Sequence, residues 1–113
     1  MAWNFLTNVM LESKIQRGII NLLEADGWYV IKLMQTNKNG IPDLICHKAG
    51  RTIYIEVKRP GEKPRPLQLV RHAQLAAAGI KTYVMTKINI DGIRENSASP
   101  AHAQQAISWD YLD

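Results

Sequence analysis

The chain contains a single cysteine, no long hydrophobic run and no cluster of histidines. One thiol, Cys46, excludes an internal disulfide and any cysteine-based zinc cluster, and its place in an apolar run is that of a small core residue. His47, His72 and His102 show no metal-ligand spacing and read as structural or solvent-facing, with His72 a marginal candidate for phosphate contact. No segment approaches the length of a membrane span, and Met1 to Met10 lacks the basic stretch and apolar core of a secretory leader, so a cytoplasmic, reducing location is expected. Repeats, low-complexity tracts and interdomain linkers are also missing. With 113 residues, 46% of them hydrophobic, the expectation is one domain spanning 1–113.

Charge is unevenly distributed. Between Lys58 and His72 five basic residues (Lys58, Arg59, Lys63, Arg65, Arg71) face one acid, Glu62, so this stretch alone carries the net charge of +4. A cationic segment on an otherwise neutral body suits a polyanionic partner; solvated lysines on an ordinary surface give the same pattern.

From Thr7 to Ala25 the residues Leu11, Ile15, Ile19, Leu22 and Leu23 recur at helical spacing, and Asp26-Gly27 supplies the stop. Trp28 to Gln35 predicts a first strand, followed by a polar turn from Thr36 to Gly40. Asp43–His47 and Thr52–Lys58 predict two strands of a hairpin joined by Lys48-Ala49-Gly50-Arg51. The loop from Pro60 to Pro66, with three prolines and Gly61, cannot continue a strand. Pro66 opens a second helix, Leu67 to Ala78, that Gly79 stops, and Ile80 to Met85 is a further strand. Beyond Thr86 the pattern suggests a strand at Ile88–Ile90 with a turn at Asp91-Gly92, then a short helix from Ser99-Pro100 to near Trp109.

In the strand Thr52–Lys58 the period of two sends Ile53, Ile55 and Val57 to one face and Thr52, Tyr54, Glu56 and Lys58 to the other. Glu56 and Lys58 thus share a face inside a segment that otherwise reads as buried sheet. Buried charges need each other, a metal, or a water-filled cleft. A plain ion pair at a strand end satisfies the first of these. The second gains from Gly40-Ile41-Pro42-Asp43: Gly40 permits an unusual backbone angle, Pro42 stiffens the approach, and Asp43 begins the adjacent strand. Antiparallel neighbours lie about 5 Å apart, so Asp43 and Glu56 can converge on one divalent cation, and hard oxygen ligands suit magnesium or manganese.

Glu12 on the first helix, Gly40-Ile41-Pro42-Asp43, Glu56-Val57-Lys58 and Gln68 at the start of the second helix together resemble the PD-(D/E)xK nuclease superfamily, and within it the VRR-NUC family. The likeness runs from about Glu12 to Met85. It implies an α/β fold of restriction-endonuclease type, with a mixed central β-sheet flanked by helices. It further implies that Asp43, Glu56 and the backbone carbonyl of Val57 bind Mg2+ or Mn2+, that Lys58 acts on the attacking water, and that Glu12 and Gln68 complete the site, Glu12 reaching the metal through water. Each of the last two has an ordinary alternative, as an exposed glutamate near a helix start and as a surface glutamine.

The functional expectation is a metal-dependent endodeoxyribonuclease, in the standalone form of the family, with Arg59, Lys63, Arg65 and Arg71 touching DNA phosphates. Nucleases of this superfamily that resolve four-way junctions are dimers, so the resemblance favours a homodimer cutting branched DNA, a Holliday junction ahead of a flap or an arbitrary duplex. Trp3, Phe5, Trp109 and Tyr111 are candidate contacts between copies. A noncatalytic nucleic-acid-binding module on the same fold is the competing reading, and a membrane partner is not expected.

Overall fold

Isoleucine and leucine at four-residue intervals, Ile15, Ile19 and Leu23, place one stripe of the first helix against the sheet, and all three are nearly withdrawn from water. Each such side chain contributes roughly 1.5–3 kcal/mol by burial. The structure, a computed structural model, describes residues 2–98. The first helix, α1, runs Ala2–Ala25, starting earlier than the apolar pattern from Thr7 suggests. It ends in paired bonds from Gly27 N–H to the Glu24 carbonyl and from Trp28 N–H to the Leu23 carbonyl. Gly27 sits at φ 90°, the left-handed turn this closure requires.

Strands β1 (Tyr29–Lys32), β2 (Leu44–Lys48), β3 (Arg51–Val57) and β4 (Lys81–Met85) form one sheet in the order β1-β2-β3-β4. The first three are antiparallel neighbours; β4 runs parallel to β3, and α2 (Pro66–Ala77) makes the crossover that parallel pairing demands. This is the mixed sheet flanked by helices that the sequence predicts.

Other boundaries differ as well. β1 stops at Lys32 rather than Gln35, because the chain turns away into the β1–β2 loop. Lys48 pairs with Arg51, so the hairpin loop is only Ala49-Gly50, both at positive φ as a tight primed turn requires. In place of a strand at Ile88–Ile90 and a turn at Asp91-Gly92, the chain forms helix α3, Asp91–Ala98. The Asn89 side chain accepts the Asp91 N–H at 2.8 Å, Asp91 lies at the positive end of the helix dipole, and Ile90 and Ile93 are buried. The helix expected from Ser99 to Trp109, Trp109 and Tyr111 themselves, and the side chains of Trp3 and Phe5 lie outside the described residues.

The core gathers Ile15, Ile19 and Leu23 of α1, Leu44 and Cys46 of β2, Ile53, Ile55 and Val57 of β3, and Ile90 and Ile93 on one face of the sheet. Because β3 alternates, Glu56 points from the opposite face, where α2 lies. No residue of α2 is fully buried, so this second face is the thinner and more accessible layer. Among the described residues, no helix is long and apolar enough to cross a membrane.

Candidate active site

The β2–β3 register pairs Leu44 with Ile55, which sets Asp43, one residue earlier, level with Glu56. Asp43 Oδ2 accepts the Val57 N–H at 2.7 Å, and the Asp43 carbonyl accepts the Leu33 N–H at 2.8 Å. The approach is equally constrained. Pro42 is fully buried, and Gly40, at φ 81°, lies so close to Leu67 that a β-carbon would come within 2.9 Å of the leucine side chain. The turn is therefore seated on the start of α2.

Glu56 retains 1% exposure. Its Oε2 accepts from Gln68 Nε2 at 3.1 Å, and His72 Nε2 stands 3.5 Å from its Oε1. Gln68 Oε1 in turn accepts the Arg65 N–H at 2.8 Å, which turns the amide nitrogen toward Glu56. Lys58 follows β3 directly, continues its ladder by donating its N–H to the Met85 carbonyl at 3.0 Å, and is only 5% exposed.

Burial first, and the neighbouring Asp43 charge second, push the Glu56 carboxyl up to about 8, with Lys58 pulling the other way. Asp43 is also raised by burial, against the opposing effects of the Val57 N–H and Lys58. Ionising Glu56 beside a charged Asp43 thus carries an added cost, and Lys58 opposes the rise at both carboxyls. Glu12 is raised by burial and by the charges of Glu62 and Asp43, against the pull of Lys58. For Glu62, partial burial is outweighed by the N–H and guanidinium of Arg59, and its carboxyl is lowered. His72 is lowered by burial and by Lys58.

Glu12, Asp43, Glu56, Lys58 and Gln68 are thus brought to one end of the sheet. The candidate phosphate contacts divide. Arg59 pairs with Glu62 at 2.9 Å. Arg71 donates to the Asn39 carbonyl at 2.8 Å and to Gln74 at 3.0 Å, holding the β1–β2 loop to α2. Lys63 and Arg65 are exposed.

Three residues at the site escape a reading of the sequence alone. His72 stands against Glu56, and its spacing of four from Gln68 on one helix was the available signal. Glu62 pairs with Arg59 and lies near enough to Glu12 for its charge to raise that carboxyl. Lys32 lies near enough to Asp43 for its charge to lower that carboxyl, and nothing in a strand-end lysine announces this.

Among the described residues, no three side chains of His, Cys, Asp or Glu gather to hold a metal by themselves. The donor set is narrower: the buried Glu56 carboxyl and the half-buried Asp43 carboxyl, set level by the β2–β3 register, with Asp43 held on the Val57 N–H. Two carboxyls set side by side, each raised by burial, fit a divalent cation whose charge would favour their ionised forms, and a hard ion that keeps several waters needs no larger protein cage. Glu12, partly exposed, is not a third member of a side-chain cage.

Paired carboxylates and a buried lysine at the end of a mixed sheet define a nuclease-type core. A solved structure described as a VRR_NUC domain superposes with a TM-score of 0.67 at 30% identity, covering 75% of this chain and 95% of that one. A protein described as "Putative nuclease p44", from Acyrthosiphon pisum secondary endosymbiont phage 1, is 32% identical over 83 residues, 73% of this chain and 89% of that protein. No family model matches the chain. With this identity and coverage, the chain belongs to the VRR-NUC family.

Proposed function

We propose that the chain is a divalent-metal-dependent endodeoxyribonuclease that hydrolyses DNA phosphodiester bonds, acting as a homodimer on four-way junctions. The observation that carries the catalytic reading is the side-by-side placement of the Asp43 and Glu56 carboxyls, with buried Lys58 close enough for its charge to act on both. Asp43, Glu56 and the Val57 carbonyl would hold Mg2+ or Mn2+. The bound ion supplies charge neutralisation at the phosphate and acidifies water.

The chain's own groups do the rest. Lys58 stabilises negative charge that grows on the phosphate oxygens and orients the attacking water. Gln68, fixed by the Arg65 N–H, holds the Glu56 carboxylate in one orientation. Glu12 is half-buried near Asp43, and its raised pKa suits it to exchange a proton with a water. Lys63 and Arg65, exposed beside α2, supply phosphate contacts that position a strand without reading its bases.

The dimer reading is supported by an apolar row on the N-terminal half of α1. Leu6, Val9 and Met10 are 58%, 45% and 69% exposed at helical spacing, beyond the part of the helix that reaches the core. A two-fold assembly would present two equivalent sites to a nearly two-fold substrate.

The test compares wild type with Asp43→Asn and Glu56→Gln on a four-way junction, a flap, a duplex and a single strand, with magnesium, manganese or chelator. Cleavage is expected with either ion, fastest on the junction, and absent in both variants while DNA binding persists. Sedimentation reads the assembly state. Full activity in both variants would overturn the site. Preferential cutting of flaps would overturn the junction, and a fully active monomer the dimer.

A further inference from the structure

Between β1 and β2 the chain makes an irregular excursion, residues 33–43, that borders an open cleft of about 280 Å3. Its walls come from this one loop, including Leu33, Met34, Thr36, Lys38, Asn39 and Pro42. The loop is held at four points. The Leu33 N–H is bound by the Asp43 carbonyl, Thr36 Oγ1 contacts the Lys38 carbonyl at 2.7 Å, Arg71 holds the Asn39 carbonyl, and Gly40 is pressed against Leu67. A cleft fixed in this way costs little ordering when a ligand enters.

Its chemistry is mixed in a particular way. Met34 is 79% exposed at the cleft. A lone surface methionine is ordinary, but here a polarizable thioether is paired with an exposed ammonium, Lys38, on the same loop. Lys32 stands at the loop's start, on the side of Asp43. The volume lies just under the roughly 300–1,000 Å3 of drug-sized ligand sites, which suits a single nucleoside better than a larger molecule. Pro42 lines the cleft and Asp43 follows it directly, so a ligand in the cleft lies one residue along the chain from the carboxylate proposed to take the metal.

We propose that the β1–β2 loop is a nucleotide subsite: a base of the DNA strand, out of its stack and within two nucleotides of the cut, rests against Met34 while Lys38 contacts its phosphate. This rests on the nuclease reading and adds to it the selection of where the strand is cut. Apolar side chains that wedge against unstacked bases and lysines that follow the backbone are the usual means of holding such a nucleotide. Thioether contact with an aromatic face supplies the attraction. An unpaired nucleotide is easiest to obtain at a branch, which links the cleft to a branched substrate.

The experiment places 2-aminopurine singly at each position around the cut in a junction and measures its fluorescence on binding in chelator, for wild type, Met34→Ser and Lys38→Ala. One position within two nucleotides of the cut should change in wild type, and Met34→Ser should abolish that change. In magnesium, KM should rise about tenfold in the Met34→Ser, Lys38→Ala double variant, more than kcat falls. An abasic residue at the reporting position should weaken wild-type binding and leave Met34→Ser unaffected. If wild type binds and cuts DNA while both variants match it in fluorescence and KM, the subsite is wrong. If wild type neither binds nor cuts any DNA, the nuclease reading fails and the subsite fails with it.

Discussion

Asp43 accepts the N–H of Val57 at 2.7 Å, which ties the turn before β2 to the end of β3. The same carboxylate thus latches two strands and faces Glu56. Asparagine can keep the latch through its amide oxygen while removing the charge; alanine removes both. Asp43→Ala should therefore be less stable than Asp43→Asn by about 1–2 kcal/mol in metal-free urea unfolding, since it leaves the Val57 N–H without its partner. Both variants should be inactive. Equal stability would show that the latch contributes nothing.

In the metal-free protein Glu56 keeps its proton up to about pH 8, whereas a carboxyl of ordinary pKa 4.5 in the unfolded chain has already lost it. Over that window the native state binds more protons, so the stability due to Glu56 is present below about pH 4.5 and is lost as pH rises toward about 8. The melting temperature in chelator, compared with that of Glu56→Gln, should fall across this range. His72, whose pKa is lowered, acts in the opposite sense as pH drops and is common to both proteins. Saturating magnesium should remove the loss. A flat difference between the two proteins in chelator would mean that Glu56 is ionised in the metal-free site.

Lys58→Met keeps the apolar stem and deletes the ammonium. Turnover should fall on the order of 10²–10³-fold while magnesium affinity, measured by calorimetry, changes far less. Collapse of metal binding would instead make Lys58 a brace for the carboxylates.

Two backbone positions predict opposite signs. Gly40→Ala forces a β-carbon into Leu67 at a left-handed angle and should cost about 1–3 kcal/mol and most of the activity. Ala49 already occupies a left-handed position, φ 49°, in the hairpin turn. Ala49→Asn should raise stability by up to about 1 kcal/mol, because asparagine tolerates that angle better. Thermal melts of the two variants check both directions.

The strand that carries Glu56 and Lys58 was readable because its alternation separates Ile53, Ile55 and Val57 from the charged face. Asp43 was readable from the glycine and proline before it. What escaped depends on juxtaposition in space. Glu62 looked like one acid in a basic loop, yet it meets Glu12 from a helix some fifty residues earlier in the chain. Arg71 looked like a free cation and instead fastens a distant loop through a carbonyl, a contact that side-chain patterning does not encode. α3 was missed because an apolar pair, Ile88 and Ile90, matches a strand as well as a helix entry, and only the Asn89 turn and the burial of Ile93 decide between them.

Cys46 is fully buried in β2, and burial pushes its thiol up to about 12. At neutral pH it offers almost no thiolate, so a disulfide reagent can react only when the sheet opens. The rate of labelling becomes a clock for that opening. It also leaves the molecule effectively thiol-free from outside, so a cysteine placed at an exposed position can carry a single dye for watching DNA arrive, with no native residue removed.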